Sequence, residues 1–389
     1  MRGLTYPLAV ALNTFMWGIY FSFTRRYLAV ELAGGTRAVL LITGLEWLYI
    51  FFAILAGRLV EILGNRNLVR LCSLGFLPFL VAIFIEDPVV LALVLSVISL
   101  TWAISWPVIL SAVFSSSRGR YGRAYSIFSL GSSLGWSAGS VAMGFMHSAG
   151  GPVLVLTACA LLYLLSYVIF SKFYPEKVEP PKRAPRRGFE EVRRLWYILI
   201  PYTLLVFSQE LYYSIAPAKL SSELAKLLGD SSESLQYIAF GVVYGGITAA
   251  LSIPARIACG RIADRYNPLL LLTISSLAYL GSYWGFVLTE GLIPIVIWQL
   301  PLYPLVDTAV RVGLARSTSG SSRTTVLGAS LAFSALGGIA VLPLAANPEL
   351  DPRVAGVLIT FTLVTSEAIA LYYYRRCRRA SSESRGIRS

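Results

Sequence analysis

Residues 89–114 read VVLALVLSVISLTWAISWPVILSAVF and contain no charged side chain. A helix that crosses the hydrocarbon core of a bilayer needs about 20 consecutive, mostly apolar residues, and this stretch supplies them. Only helices and closed barrels satisfy their backbone hydrogen bonds inside lipid, and the run is too uniformly apolar for the alternating pattern of a barrel strand. The stretch therefore predicts a transmembrane helix.

Comparable apolar runs recur along the whole chain. Hydrophobic residues make up 56% of the sequence and charged residues 14%, whereas an ordinary soluble domain carries about 25% charged residues. The pattern predicts an all-α integral membrane protein with twelve transmembrane helices. The predicted spans are 5–29, 37–57, 68–85, 89–114, 124–146, 153–171, 196–218, 237–256, 268–288, 292–313, 325–345 and 353–374.

The basic residues are distributed unevenly between the two sides of these spans. If the N-terminus is inside, all but six of the 33 lysines and arginines fall on the cytoplasmic side. The six on the outer side are Arg25, Arg26, Arg37, Lys219, Lys226 and Arg353. This is the positive-inside pattern, which explains the net charge of +13 without a nucleic-acid partner. We expect a multi-pass protein of the plasma membrane with both termini in the cytoplasm.

A polar, proline-containing stretch divides the spans six and six. Residues 172–194 carry mixed charges and four prolines, a composition typical of a flexible linker. The predicted organisation is an N-terminal six-helix bundle (1–171), a cytoplasmic linker (172–194), a C-terminal six-helix bundle (195–375) and a basic cytoplasmic tail (376–389). We expect the protein to be a monomer.

The two halves share short sequence similarities in the same order. Tyr20, Ser22, Leu28 and Glu31 recur at a constant offset as Tyr212, Ser214, Leu220 and Glu223, Gly57–Glu61 recurs as Gly260–Asp264, and Trp106–Pro107 recurs as Tyr303–Pro304. Parallel repeats of this kind build secondary transporters, whose solute site lies near the membrane midplane between the repeats. The repeat therefore predicts two pseudo-symmetric bundles around a central site.

Two of these repeated segments lie in cytoplasmic loops and resemble a family signature. The run Gly260-Arg261-Ile262-Ala263-Asp264-Arg265 resembles the loop motif of the major facilitator superfamily, and the first-half copy places Glu61 where that family usually has Asp. The resemblance implies a latch between the bundles, in which glycine allows close approach and charged groups pair. Asp307 and Arg311, four residues apart, predict a local ion pair or a part of this latch. The candidate gating residues are Gly57, Glu61, Arg66, Gly260, Asp264, Arg265, Asp307 and Arg311.

Span 5 carries four glycines at helical spacing. Gly131, Gly135, Gly139 and Gly144 resemble the antiporter signature of the same family, but Trp136 and Ser140 depart from it. Small residues at this spacing also let two helices pack closely. We favour packing.

The family resemblance implies that spans 1, 4, 7 and 10 line a solute cavity. The candidate solute-binding residues are Asn13, Trp17, Tyr20, Trp102, Trp106, Gln209, Tyr212, Gln299 and Tyr303. An aromatic cavity with few hydrogen-bonding groups suits a moderately polar or amphipathic organic solute. The alternative is that these aromatic residues pack inside the bundle or lie in interfacial belts.

Three carboxyl groups are predicted at membrane depth, where a charge costs about 3 kcal/mol or more. Glu210 is the first candidate for proton coupling, because it lies on a cavity span, and Glu46 is the second. Glu367 lies in the inner half of span 12. A neutral, hydrogen-bonded structural carboxyl group is the alternative for each. His147 is expected at the outer membrane interface.

The sequence predicts secondary active transport of a small organic solute by alternating access, with proton symport. Proton-antiport efflux of amphipathic compounds and uncoupled facilitated transport are the alternatives. The match of 131–135 to Gly-x-Ser-x-Gly does not indicate an enzyme, because that motif requires a strand-to-helix elbow and here it lies within a span. No metal or cofactor is expected. A transporter-derived sensor would be expected to carry an added soluble domain, and the segment after Tyr374 is short.

Overall fold

The computed structural model describes residues 2–115, 121–174, 187–229, 232–317, 323–347 and 350–386. All regular secondary structure in these ranges is helical. We call the side that carries the linker and the predicted cytoplasmic loops the inner side, and the opposite side the outer side.

Helices of the first half coincide with the first six predicted spans. They are α1 (Arg2–Arg26, extended by a π-helical turn, Tyr27–Glu31), α2 (Gly35–Phe51, continued by Phe52–Leu55 and Ala56–Leu63), α3 (Asn65–Cys72, Ser73–Phe76 and Leu77–Ala82), α4 (Pro88–Ser96 and Ile98–Ser115), α5 (121–149) and α6 (152–172). Gly150 and Gly151 separate α5 from α6. Gly151 has φ +61°, a left-handed conformation that glycine adopts without steric cost, so the chain can turn back there.

Helices of the second half coincide with the remaining spans. They are α7 (Trp196–Leu228), α8 (Glu233–Gly241, a π-helical turn Val242–Gly246, and Ile247–Arg265), α9 (Pro268–Leu288), α10 (Leu292–Trp298 and Tyr303–Ser317), α11 (Arg323–Ile339, continued by Leu342–Ala346) and α12 (Pro352–Gly386).

Seven segments of the described residues are long and apolar enough to cross a membrane. They are Pro88–Ile109, Leu130–Lys172, Glu233–Ala263, Pro268–Leu288, Leu292–Arg311, Ala329–Ala346 and Pro352–Arg376. Large apolar side chains are exposed on such helices, and Phe361 on α12 is 70% exposed. Contiguous exposed apolar surface of this kind requires lipid or a partner. The predicted all-α membrane fold is confirmed, and the count of twelve spans stays a prediction.

The linker and the tail differ from the sequence-based expectation. Arg187–Arg194 forms a short linker helix, and Val192 packs against a core cluster of the second half that contains Ile198 and Leu199. At the other end, α12 continues past Arg375 to Gly386, because no glycine or proline interrupts residues 375–385. The end of the predicted flexible linker is therefore helical and joined to the second half.

The glycines of α5 allow backbone contact with neighbouring helices. A Cβ atom at Gly135 would overlap the Ala11 carbonyl oxygen of α1, and one at Gly139 would overlap that of Phe15. Nearer the outer end, Gly144 lies against the Ile238 backbone of α8. Small residues permit this close approach of helices in a membrane. The packing interpretation of these three glycines is confirmed.

Two helix pairs make the most extensive contacts between the first half and the second. In one pair, α5 meets α8 where Ser140 lies against Gly241. In the other, α2 meets α11, where the Trp47 indole lies directly over Gly338 and Gly44 lies against Leu342. These contacts lie in the outer half of the helices, so the described interface between the halves is closed on the outer side.

The α1–α5 contact predicts a sharp difference between two glycine substitutions. We expect Gly139→Ala to destabilise the protein by about 1–3 kcal/mol, because the new methyl group overpacks against backbone that has little freedom to move. Gly281→Ala on α9 is the matched control, since no described atom lies within 4 Å of its Cβ position, and it should be neutral or stabilising. Thermal unfolding of both variants in detergent checks this. Equal melting temperatures would contradict it.

Candidate solute and proton site

A buried ion pair lies at the centre of the first half. Arg25 Nη1 donates to Glu46 Oε1 (3.0 Å) and Nη2 contacts Oε2. The Tyr20 hydroxyl also donates to Glu46 Oε1 (2.7 Å). Arg25 and Glu46 are each 4% exposed. Charges removed from water require such a close partner with further hydrogen bonds, so the three side chains form one polar unit between α1 and α2.

The structure adds burial to the expectation for two arginines. Arg25 and Arg26 lie towards the outer end of α1, and both are buried at 4% exposure. A long arginine side chain can place its charged group several ångströms from its own Cα atom, and Arg25 uses this reach to bind Glu46. Both arginines lie within predicted span 1, at 5–29. A charge inside a span was the signal that could have indicated their burial.

The second candidate carboxyl group differs from the first. Glu210 on α7 is partly buried and lies beside the Trp47 side chain of α2, which belongs to the other half. Arg25 and Glu46 are near enough to act on it electrostatically. Among the ion pairs found in the described residues, none includes Glu210. The centre therefore holds one paired carboxylate and one unpaired carboxyl group.

The aromatic candidates of α1 and α4 form one cluster. The Trp17 ring lies 5.3 Å from Tyr20 and 6.0 Å from Trp102, and Trp102 stacks on Trp106 at 5.2 Å. Phe21 extends the cluster, because the Arg25 guanidinium lies 4.0 Å above its ring. The predicted grouping of Trp17, Tyr20, Trp102 and Trp106 is therefore present as a continuous aromatic wall beside the ion pair.

A second aromatic group lies in the other half. Tyr212 is 3% exposed and packs edge-on against Trp298 at 5.5 Å, while its hydroxyl lies 3.3 Å from Ser282 Oγ. Gln209 Nε2 donates to the Tyr213 hydroxyl (3.1 Å). Tyr244 of α8 stacks on Trp298 at 5.4 Å. The sequence interpretation missed Tyr213 and Tyr244, and only the position of Tyr213 beside Tyr212 gave a signal.

Three other solute candidates make contacts within their own half. Asn13 donates to Ser166 Oγ of α6 (3.0 Å) and is 1% exposed. Gln299 accepts from Thr248 (2.8 Å) and donates to the Val243 carbonyl oxygen (2.9 Å), which joins the break in α10 to α8. Tyr303 is 40% exposed, and the Arg256 guanidinium lies 5.8 Å from its ring. No described contact joins Asn13, Gln299 or Tyr303 to the Trp17 cluster.

The candidate gating residues form local contacts on the inner side. Arg311 Nε donates to Asp307 Oδ1 (2.6 Å), as predicted for a local pair, and Arg256 of α8 lies 3.6 Å from Oδ2. Arg66 Nε donates to the Ser171 carbonyl oxygen (3.0 Å). Each of these contacts stays within one half. The candidates Gly57, Glu61 and Asp264 lie outside the residues whose side-chain surroundings the structure describes.

Gly260 and Arg265 do not make close contacts. No described atom lies within 4 Å of a Cβ atom placed on Gly260, so this glycine makes no close helix contact among the described residues in this arrangement of the halves. The inner end of α8 is open here because the α5–α8 packing described above is on the outer side. Arg265 is exposed. A gating role for either residue stays a prediction.

The two halves of the sequence repeat differ at the position of Arg25. Tyr20 corresponds to Tyr212, and the same offset aligns Arg25 with Pro217. Pro217 is buried in α7 without a charge, so the second half folds into its bundle without a matching ion pair. The Arg25–Glu46 pair is therefore not required by the architecture.

The architecture and this centre define a class of membrane protein. Repeated helical halves around a shared polar centre are the arrangement of secondary transporters. A family model described as Major Facilitator Superfamily matches residues 8–342, so the chain belongs to the major facilitator superfamily. A search of curated proteins found no match.

Solved transporter structures share the fold at low sequence identity. The nucleoside transporter NupG is 13% identical, with a TM-score of 0.72 over 96% of this chain and 98% of that chain. A POT family transporter in complex with a thioalcohol-conjugated peptide is 11% identical, with a TM-score of 0.75 over 97% and 96%. A bacterial homologue of the human lysosomal transporter Spinster, inward-facing and occupied, is 15% identical, with a TM-score of 0.67 over 96% of each chain.

The ion pair predicts strongly non-additive substitutions. Arg25→Met leaves Glu46 buried without its counter-charge, so we expect a loss of about 3–5 kcal/mol, whereas Arg25→Met with Glu46→Leu should recover most of it. Lys226→Met is the control, because this lysine is 56% exposed beside Glu223 and an exposed pair contributes about 0–1 kcal/mol. Denaturant unfolding in detergent measures all three. Additive losses from Arg25 and Glu46 substitutions would contradict the pairing.

Proposed function

We propose that the protein is a secondary active transporter that moves a small organic solute by alternating access, in symport with a proton. Glu210 carries the proton in this proposal. The observation on which it rests is that Glu210 is the central carboxyl group without an ion-pair partner in the described residues, and that it lies beside Trp47 of the opposite half.

The charges at the centre support this assignment. Arg25 neutralises Glu46, which leaves Glu210 as an excess negative charge when it is ionised. A charge at membrane depth costs several kcal/mol, and a bound proton removes that cost. Glu46 is a poorer proton carrier, because a proton there would leave the Arg25 guanidinium without its partner.

The position of Glu210 links the proton to movement of the halves. Alternating access requires that contacts between the repeats break and re-form, and Glu210 of α7 lies beside Trp47 of α2 across that boundary. An ionised carboxylate and a neutral carboxyl group differ in their hydrogen-bonding strength. The protonation state of Glu210 would therefore change the stability of one arrangement relative to the other.

The aromatic wall suggests the chemistry of the solute. Trp17, Trp102 and Trp106 form one aromatic cluster in the first half, beside the central ion pair. A ring-bearing or amphipathic organic solute can stack on such a wall. The nucleoside and peptide transporters with similar folds make these compounds reasonable first probes. The packing role of the α5 glycines gives no support to antiport.

The cellular arrangement is part of the same proposal. We place the protein in the plasma membrane as a monomer with twelve spans and cytoplasmic termini, with the six-helix halves at 1–171 and 195–375. The predominance of basic residues on the inner side supports this orientation.

Transport assays in proteoliposomes test the coupling through Glu210. A panel of nucleosides and dipeptides is tested for uptake, with an internal pH dye that reports proton entry. A gradient of one pH unit is worth about 1.4 kcal/mol and supports up to about tenfold accumulation of a neutral solute moved with one proton. We expect Glu210→Gln to abolish this accumulation and the proton signal while equilibrating uptake continues.

A matched control separates coupling from general damage. Glu367→Gln makes the same chemical change on α12, distant from the central pair, and should retain gradient-driven accumulation. Accumulation that is unchanged in Glu210→Gln would contradict the assignment. Gradient-independent uptake by the native protein would instead identify an uncoupled facilitator.

A further inference from the structure

Four side chains meet where the outer ends of α1, α5 and α8 come together. Arg26 and Glu31 lie at the end of α1, His147 lies on α5, and Tyr237 lies on α8. Tyr237 is 0% exposed. Because it belongs to the second half and the other three belong to the first, this outer cluster spans the boundary that must open for access from outside.

The Tyr237 ring is held between two groups. The His147 imidazole stacks on it with 3.5 Å between ring centroids and an interplanar angle of 19°. The Arg26 Cζ atom lies 4.0 Å from the same centroid. Two groups this close cannot share one face, so the imidazole and the guanidinium occupy opposite faces. A cation over an aromatic face is attracted to it, so these two contacts hold the Tyr237 ring against the first half.

The polar atoms of the cluster are incompletely satisfied. Arg26 Nε, Glu31 Oε1, His147 Nε2 and the Tyr237 hydroxyl are buried, and none has a hydrogen-bond partner among the described residues. His147 Nε2 lies 3.5 Å from Glu31 Oε2, which is within ion-pair range but long for a hydrogen bond. Unsatisfied buried polar groups are costly, so the cluster is poorly suited to be a purely structural contact.

Glu31 and its counterpart in the sequence repeat, Glu223, have different surroundings. Its second-half counterpart, Glu223, accepts hydrogen bonds from the Gly291 backbone N–H (2.9 Å) and from Lys226 Nζ (3.2 Å). Glu223 therefore stabilises the start of α10 within its own half. Glu31 instead faces His147, the only histidine in the sequence.

Charged and titratable groups surround His147. Those facing the cluster are Arg26, Glu31 and Tyr27 from α1, Tyr237 and Glu233 from α8, and the exposed Glu86 beyond α3. With His147 neutral, the carboxylates of Glu31, Glu233 and Glu86 outnumber the Arg26 guanidinium, so the cluster carries excess negative charge. An imidazolium reduces this excess, pairs with Glu31 and adds a second cation–π contact to Tyr237.

We propose that Tyr237 is the outer gate of the transport path and that a proton on His147 closes it by pairing with Glu31. The gate is distinct from Glu210, which lies deeper, at the centre. The inference rests on the alternating access of the proposed function, but it does not depend on which residue couples transport to protons or on which solute is carried.

Distance measurements across the outer side test this gate without a solute. Spin labels are placed at Arg37→Cys and Leu227→Cys, two exposed positions at the outer ends of α2 and α7, in a background without native cysteines and in lipid nanodiscs. Between about pH 8 and pH 5, where histidine gains its proton, we expect the short-distance population to grow severalfold. His147→Gln and Glu31→Gln should remove this response.

Matched variants separate the gate from a folding defect. Tyr237→Phe should behave as the native protein, because the hydroxyl has no partner, whereas Tyr237→Leu should give long distances at both pH values. Glu223→Gln, the repeat counterpart, should keep the native response. A native pH response in His147→Gln would overturn the role of the proton, and native distances in Tyr237→Leu would overturn the gate. If Glu210→Gln lost proton coupling while its gate response stayed native, that result would concern only the proposed function. It would leave the gate unaffected.

Discussion

A charge inside the hydrocarbon core must find a counter-charge or lose its own, and this constraint organises the protein. The lipid-facing surface meets it by excluding ionisable groups from long apolar helices. Arg25 and Glu46 meet it by pairing at the centre of the first half. Glu210 is left beside the neutral indole of Trp47, so a proton is the simplest group that can satisfy it.

The same boundary between the halves carries both functional features. At membrane depth, Trp47 lies over Gly338 of α11 and beside Glu210 of α7. At the outer end, Tyr237 is clamped between Arg26 and His147. Each contact joins residues from opposite halves and includes a group that can bind a proton. A centre that carries the proton and an outer gate that responds to a proton would together link the opening of the transport path to proton binding.

The sequence predicted the membrane class, the positions of the helices, the repeat and the two central carboxyl groups, because these follow from local apolarity and from charge at membrane depth. It did not predict that Arg25 binds Glu46 or that His147 stacks on Tyr237, since these partners are distant along the chain and belong to different helices. The close approach expected at Gly260 is not seen among the described residues, because a loop motif does not reveal in which arrangement of the halves its helix end is in contact. The α5 glycines were interpreted correctly, since helical spacing of small residues is itself a packing signal.

Infrared difference spectroscopy in lipid tests the central claim most directly. Spectra recorded at acidic and neutral pH should contain the carbonyl band of a protonated carboxyl group at membrane depth. The account predicts that this band disappears in Glu210→Gln and persists in Glu46→Gln. A band that persists in Glu210→Gln and disappears in Glu46→Gln would contradict it, because the proton would then belong to the carboxyl group that Arg25 already neutralises.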